Sequence, residues 1–113
     1  MNDLEFTGEP EHDSRILTER AYDRLIPVHC IESLVGYILR GQPTGHFLTA
    51  LLCNDLRETF ARADDANAAA IKNYMVFLYN DVPGLCRGSY EIMKAWRATG
   101  GLHGKATDNG RGK

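Results

Sequence analysis

The stretch TGHFLTALLCNDLRETFARADDAN, residues 44–67, decides how this chain folds. Leu48, Leu52, Leu56, Phe60 and Ala63 recur every three or four residues, the period of a helix with one apolar side. Asn54, Asp55, Glu58, Arg62, Asp64 and Asn67 interrupt or flank that stripe. A polar group at the margin of a buried face costs free energy unless it is paired. These residues therefore mark either an internal network or a binding surface. The stripe continues in phase through positions 67, 71, 74 and 78, which allows one long bent helix over residues 45–80. Asp64 and Asp65 favour a break at residues 63–65 instead. Aspartate caps a helix well, and acids in a first turn complement the macrodipole.

Upstream of this stretch, Ile31, Leu34, Val35, Ile38 and Leu39 form an i, i+3, i+4, i+7, i+8 stripe over residues 28–40. Pro27 suits the first turn of that helix and Gly41 its C-terminal cap. A shorter helix precedes it, capped by Ser14 or Thr18, with Ile16, Leu17, Ala21, Tyr22 and Leu25 on one side. Downstream, residues 74–79 (YMVFLY) are apolar on all sides, as a central helix covered by its neighbours would be. Asp81-Val82-Pro83-Gly84 stops that segment. Ser89 then caps a last helix whose Ile92, Met93 and Trp96 face inward and which Gly100 ends. No alternating stretch competes with the helical period. The sequence predicts an all-α fold, a compact bundle of four to five helices, with Ile31, Leu34, Leu48, Leu52, Phe60, Tyr74, Leu78 and Trp96 in one core. The tyrosines are mostly core by spacing.

The ends read differently. Residues 1–14 hold five acids and no Lys or Arg, and residues 100–113 hold five glycines and a charge balance of +2. Neither end offers enough apolar surface to offset the entropy of ordering it. The expected division is an acidic flexible tail (1–14), a helical domain (15–99) and a Gly-rich basic flexible tail (100–113), with Leu4 and Phe6 able to dock. The middle is near neutral, ten bases against nine acids. Nucleic-acid binding needs a clustered positive face and is not expected. No run approaches the ~18 apolar residues of a membrane span. The start has neither the basic nor the apolar region of a signal peptide, so a cytoplasmic protein is expected. Cys30, Cys53 and Cys86 stand alone without a C-x-x-C pair and read as buried thiols.

Residues 26–100 resemble a family of small proteins encoded by tailed phages and prophages. The features that carry the resemblance are Ile26-Pro27, the helix end from Tyr37 to Gly41, and Pro43-Thr44-Gly45-His46-Phe47-Leu48-Thr49. They continue in Cys53-Asn54-Asp55-Leu56, Arg62-Ala63-Asp64, Asn67, Phe77-Leu78-Tyr79-Asn80, Pro83, Gly88-Ser89 and Trp96. The family tends to place an aromatic residue where Arg87 stands here. The resemblance implies a phage origin and an accessory role outside the virion, acting in the bacterial host cell. It supplies neither an activity nor a set of site residues.

The candidate binding residues are Asn54, Asp55, Glu58, Arg62, Asp64, Asn67 and Arg87. Asp55 and Arg62 project close together on one continuous helix, with Glu58 between them. Glu58 and Arg62 form an i, i+4 pair in the favourable order, worth about 0.2–0.5 kcal/mol. They read as a salt-bridge stripe, or as a surface where Arg62 meets an anion. Asn54, Asp64 and Asn67 read as caps and turn formers, or as the amides of a ligand pocket. Arg87 lies in the Gly-rich loop of residues 83–89, which a turn and the Ser89 cap explain without a phosphate. His29 with Cys30, and His46 with Cys53, lack the spacing of a catalytic or metal pair. No catalytic residue, metal or cofactor is expected.

Three functions follow as expectations. The first is a non-enzymatic accessory protein that binds a host bacterial protein, such as a component of a defence system. The second is a sponge for a small, nucleotide-like anion, held by Asn54, Arg62, Asn67 and Arg87. The third is a DNA-binding regulator, from the glycine-containing turn at residues 41–45. A homodimer packed along the Leu48–Leu78 helical region is expected, because a small body has limited surface to cover its nearly continuous apolar runs and a continuous helix over residues 45–80 would need a second chain.

Overall fold

The computed structural model describes residues 4–104. Among them are seven α-helices and one 3-10 turn, and no strand. The all-α class is as the periodicity predicts. The helices are more numerous and shorter than the four or five expected, because two of the expected segments are each broken in the middle.

Helix α1 (Pro10–Asp23) begins earlier than Ser14. Pro10 occupies the first turn, where its missing N–H is no loss, and Glu9 caps it by accepting from the His12 N–H. Residues 10–14 are thus helical rather than a tail, and Asp13 is fully buried. Its carboxylate accepts from the N–H groups of Thr7 and Gly8, both at 2.9 Å, and lies 2.8 Å from His103 Nε2. Leu4 and Phe6 pack against the core. Helix α2 (Val28–Arg40) is the central element, with residues 34–39 buried on every side. It is α2, not the apolar run of residues 74–79, that the other helices cover. It ends at Gly41 in the left-handed conformation.

Gly41 and Gly101 meet backbone to backbone. A Cβ on Gly101 would lie 2.5 Å from the Gly41 nitrogen, so no side chain fits there. Gly100 and Gly101 therefore serve close approach, and residues 101–104 form a helical turn against the end of α2. The rest of the expected basic tail, residues 105–113, lies outside the described residues.

The stretch of residues 44–67 folds as three short helices: α3 (His46–Leu52), α4 (Leu56–Arg62) and the start of α5 (Asp65–Ala69). The break at Asp64 is as predicted. A second break falls at Asn54 and Asp55, where Asn54 has φ 61°. A minor third one at Ala70 separates α5 from α6 (Ile71–Asn80). A continuous helix over residues 45–80 would be about 50 Å long, more than the longest 45 Å extent of the molecule. Leu48, Leu52, Tyr74 and Leu78 are buried within their own chain. At these four positions the stripe is covered by its own chain, and at Leu56 and Phe60 it is exposed. After α6 come the 3-10 turn (Gly84–Cys86) and α7 (Tyr90–Ala98), capped by the Ser89 hydroxyl as predicted.

Polar ties fix the packing. Asp81, fully buried at the end of α6, accepts from Arg20 and from Arg24 Nε at 2.7 Å, both on or next to α1. The Trp96 indole N–H is shared between the carbonyls of Tyr37 and Ile38 at 3.1 and 3.2 Å. Tyr37 donates its hydroxyl to the Cys86 carbonyl at 2.6 Å. Among the described residues no buried side-chain N or O lacks a partner, which is what a uniquely packed core requires.

Candidate functional site

Asn54 and Asp55 set the geometry of the candidate residues. Asn54 tolerates its left-handed backbone because its short side chain solvates the local peptide. The chain therefore changes direction between α3 and α4. Asp55 then caps α4, its Oδ1 accepting from the Glu58 N–H at 3.3 Å. Its Oδ2 accepts from the Tyr90 hydroxyl at 2.7 Å, which ties α4 to the first residue of α7. That hydrogen bond, then desolvation and the charge of Asp55, push the Tyr90 phenol up to about 12. A second tie lies beside it, where the Gly88 N–H donates to the Leu52 carbonyl at 2.8 Å.

The redirected helix carries its apolar residues outward. Thr59 is the one buried residue of α4. Leu56 is 70% exposed and Phe60 55% exposed, one turn apart on the same side. Phe60 is thus not a core residue, because the phase of its stripe survives the break while the helix axis does not. Glu58 and Arg62 pair on α4 at 3.2 Å, both about half exposed. Asp55 does not join them, since its carboxylate is spent on the cap and on Tyr90.

The other candidates separate into structural and surface roles. Asp64 caps α5, accepting from the Asn67 N–H at 2.7 Å, and lies 3.1 Å from His29 Nε2. Asn67 is buried. Its Oδ1 accepts from the Tyr74 hydroxyl at 2.7 Å and from the Cys30 thiol at 3.6 Å. It is a core residue and cannot line an open pocket. Burial and the Cys30 contact push the Tyr74 phenol upward. All three cysteines are free and buried, and burial raises the thiols of Cys53 and Cys86, the latter to about 12. A raised thiol is a poor nucleophile.

Arg87 and Asn54 do come together. With Leu51, Leu52, Met75, Leu78, Tyr79 and Gly88 they line a cleft of about 60 Å³. Arg87 Nε donates to the Leu78 carbonyl at 2.8 Å, and the guanidinium sits 4.3 Å from the Tyr79 ring centroid. A wider depression between α1 and α2, about 620 Å³ and open to solvent, is lined by Pro10, Glu11, Ser14, Arg15, Thr18, Glu19 and Arg40. It holds none of the candidate residues and balances its acids with its bases.

Tyr22, Leu25, Leu56, Phe60, Tyr79, Tyr90 and Ile92 are surface residues that the apolar stripes and the tyrosine spacing assign to the core. Asp55 followed by Glu58 three residues later is the D-x-x-E signature of a helix start. Read with Asn54, it marks the turn that exposes Leu56 and Phe60. Among the described residues no three His, Cys, Asp or Glu gather as metal ligands, and no helix is long and apolar enough to cross a membrane. No family model, curated protein or solved structure matches the chain.

Proposed function

We propose that this chain acts by binding another protein through α4 and the adjoining start of α7. The observation that carries the reading is the exposure of Leu56 and Phe60 on a seven-residue helix with one buried residue. Large apolar side chains held in water are unfavourable, and a rigid aromatic anchor with arginines at its rim is the composition of binding hot spots. Arg57 and Arg62 supply that rim on α4, and the Asp55–Tyr90 hydrogen bond holds the helix in place. The phage resemblance gives the setting. The partner is a bacterial host protein and the role is accessory, for example inhibition of a defence component in the host cytoplasm.

The dispersal of the anion-binding candidates favours this over a nucleotide sponge. Asn67 is in the core, Arg62 is on α4 and only Asn54 and Arg87 share a cleft. That cleft is far below the roughly 300–1,000 Å³ of small-molecule sites. The DNA-binding reading loses its recognition helix, since α3 (HFLTALL) carries no Lys or Arg. The test is affinity capture from a bacterial lysate on immobilised protein, with excess free chain as competitor. A specific, competed host protein is expected. Capture of none across several hosts counts against the proposal.

A further inference from the structure

We infer that the Asn54–Tyr79–Arg87 cleft is a receptor for a carboxylate side chain, an Asp or Glu of the protein partner proposed above. The inference rests on that reading and names the chemistry of one contact in it. Three arginines of the described residues that enter polar ties are partly buried: Arg20, Arg24 and Arg87. Arg20 and Arg24 share the buried Asp81. Among the described residues Arg87 faces no carboxylate. Its lining residues include no acid at all, and the nearby Asp55 is committed to Tyr90 and to its helix cap.

The guanidinium is nevertheless held in one orientation. The Leu78 carbonyl takes its Nε–H and the Tyr79 ring covers one face. The two terminal NH₂ groups have no hydrogen-bond partner among the described residues. Their parallel N–H bonds match the two oxygens of a carboxylate, and such charge-assisted pairs are about twice as strong as neutral ones. The Asn54 amide lines the same cleft and adds a donor. Leu51, Leu52, Met75 and Leu78 give apolar walls that suit the methylenes behind an acidic head group. The small volume admits a side-chain head and excludes a nucleotide. The missing counter-charge is the reason to expect an acidic occupant rather than an apolar one.

The test is a nitrogen-15 NMR titration of the full chain, observing the Arg87 Nε–H and the Asn54 side-chain amide. The probes are N-acetyl-glutamate N-methylamide, its glutamine counterpart and inorganic phosphate, all at one ionic strength. A saturable shift with the glutamate probe alone is expected. Arg87→Gln should weaken that response by roughly ten- to a hundred-fold, the worth of charged hydrogen bonds. Asn54→Gly keeps the left-handed turn and should weaken it less, which guards against a loss caused by misfolding. An equal response to the glutamine probe overturns the inference in favour of a plain apolar notch. A stronger response to phosphate overturns it in favour of a free oxyanion site. Equal shifts at the exposed Arg57 and Arg97, or a response unchanged in both variants, also overturn it. None of these outcomes touches the binding reading itself, which stands or falls on Leu56 and Phe60, outside the cleft.

Discussion

Replacing Leu56 and Phe60 together by serine should separate binding from folding. Full burial of a Leu or Phe side chain is worth about 1.5–3 kcal/mol. At 70% and 55% exposure, the larger part of that remains for a partner to cover. The two residues together offer it about 2–4 kcal/mol, a loss of roughly 30- to 700-fold in affinity at ~1.4 kcal/mol per decade. The fold itself should lose the smaller, already buried share, about 1–2 kcal/mol. Urea denaturation gives the stability difference, and titration of the captured host protein gives the affinity. A double variant that still binds within about three-fold of the parent would refute the docking face, since 1.4 kcal/mol is already ten-fold. A stability loss of 4 kcal/mol or more, the range of core truncations, would show that α4 is packed far more deeply than its exposure implies.

Three further outcomes test the fold around this face. Asp81→Asn removes the acid from beneath two arginines. Breaking a buried pair costs about 3–5 kcal/mol, reduced to about 2–3 because Arg20 and Arg24 keep solvent contact at 23% and 30% exposure; a loss under 1 kcal/mol in urea denaturation would contradict that. Burial raises the Asp13 carboxyl, but the N–H groups of Thr7 and Gly8 and the His103 ring outweigh it and hold the group below its ordinary 3.8. Its stabilisation is present above 3.8 and lost as pH falls through the lowered folded value, so Asp13→Asn should flatten the acid limb of a stability–pH curve. An unchanged limb would remove Asp13 from the account. Because residues 48, 52, 74 and 78 are covered by their own chain, sedimentation in dilute solution should give a species near 12.6 kDa, and one of twice that mass would support the expected dimer, with Leu56 and Phe60 available to its interface.

Much of this fold was legible because helical period and caps are local. The α2 stripe, its glycine end, the Asp64 break and the Ser89 cap all depend on residues within a turn or two of one another. Leu56 and Phe60 were not legible from period alone. Periodicity reports the phase of a side chain around a helix and is silent on the helix axis. When Asn54 turns the chain, the phase carries on and the axis departs, so the same stripe is core at Leu48 and Leu52 and surface at Leu56 and Phe60. The N-terminal acids misled in another way. Asp13 looks like a solvated charge in an acidic run, and the N–H groups of Thr7 and Gly8 together with His103, ninety residues on, offset its burial. The Arg87 cleft likewise joins three separate segments, around residues 54, 79 and 87, which no local pattern connects.

The Asp55–Tyr90 hydrogen bond should decide how well prepared α4 is to bind. A seven-residue helix is too short to hold itself in water, and Thr59 alone anchors this one from within. What remains are its attachments: the Asp55 cap, the Tyr90 hydroxyl on the same carboxylate, and the Gly88–Leu52 tie next door. Tyr90→Phe removes one of these and leaves the ring in place. Hydrogen exchange of the α4 amides should then quicken, while those of α2, buried at the centre, stay as they were. Affinity for the partner should fall, since a looser helix must be ordered on binding. The same latch should open without mutation in strong alkali. The Tyr90 phenol is raised, so its contribution is complete below the ordinary tyrosine value of about 10 and is lost as pH rises through about 12. If α4 exchanges at the parent rate in Tyr90→Phe, the latch is ornamental and the order of α4 comes from its packing on α3.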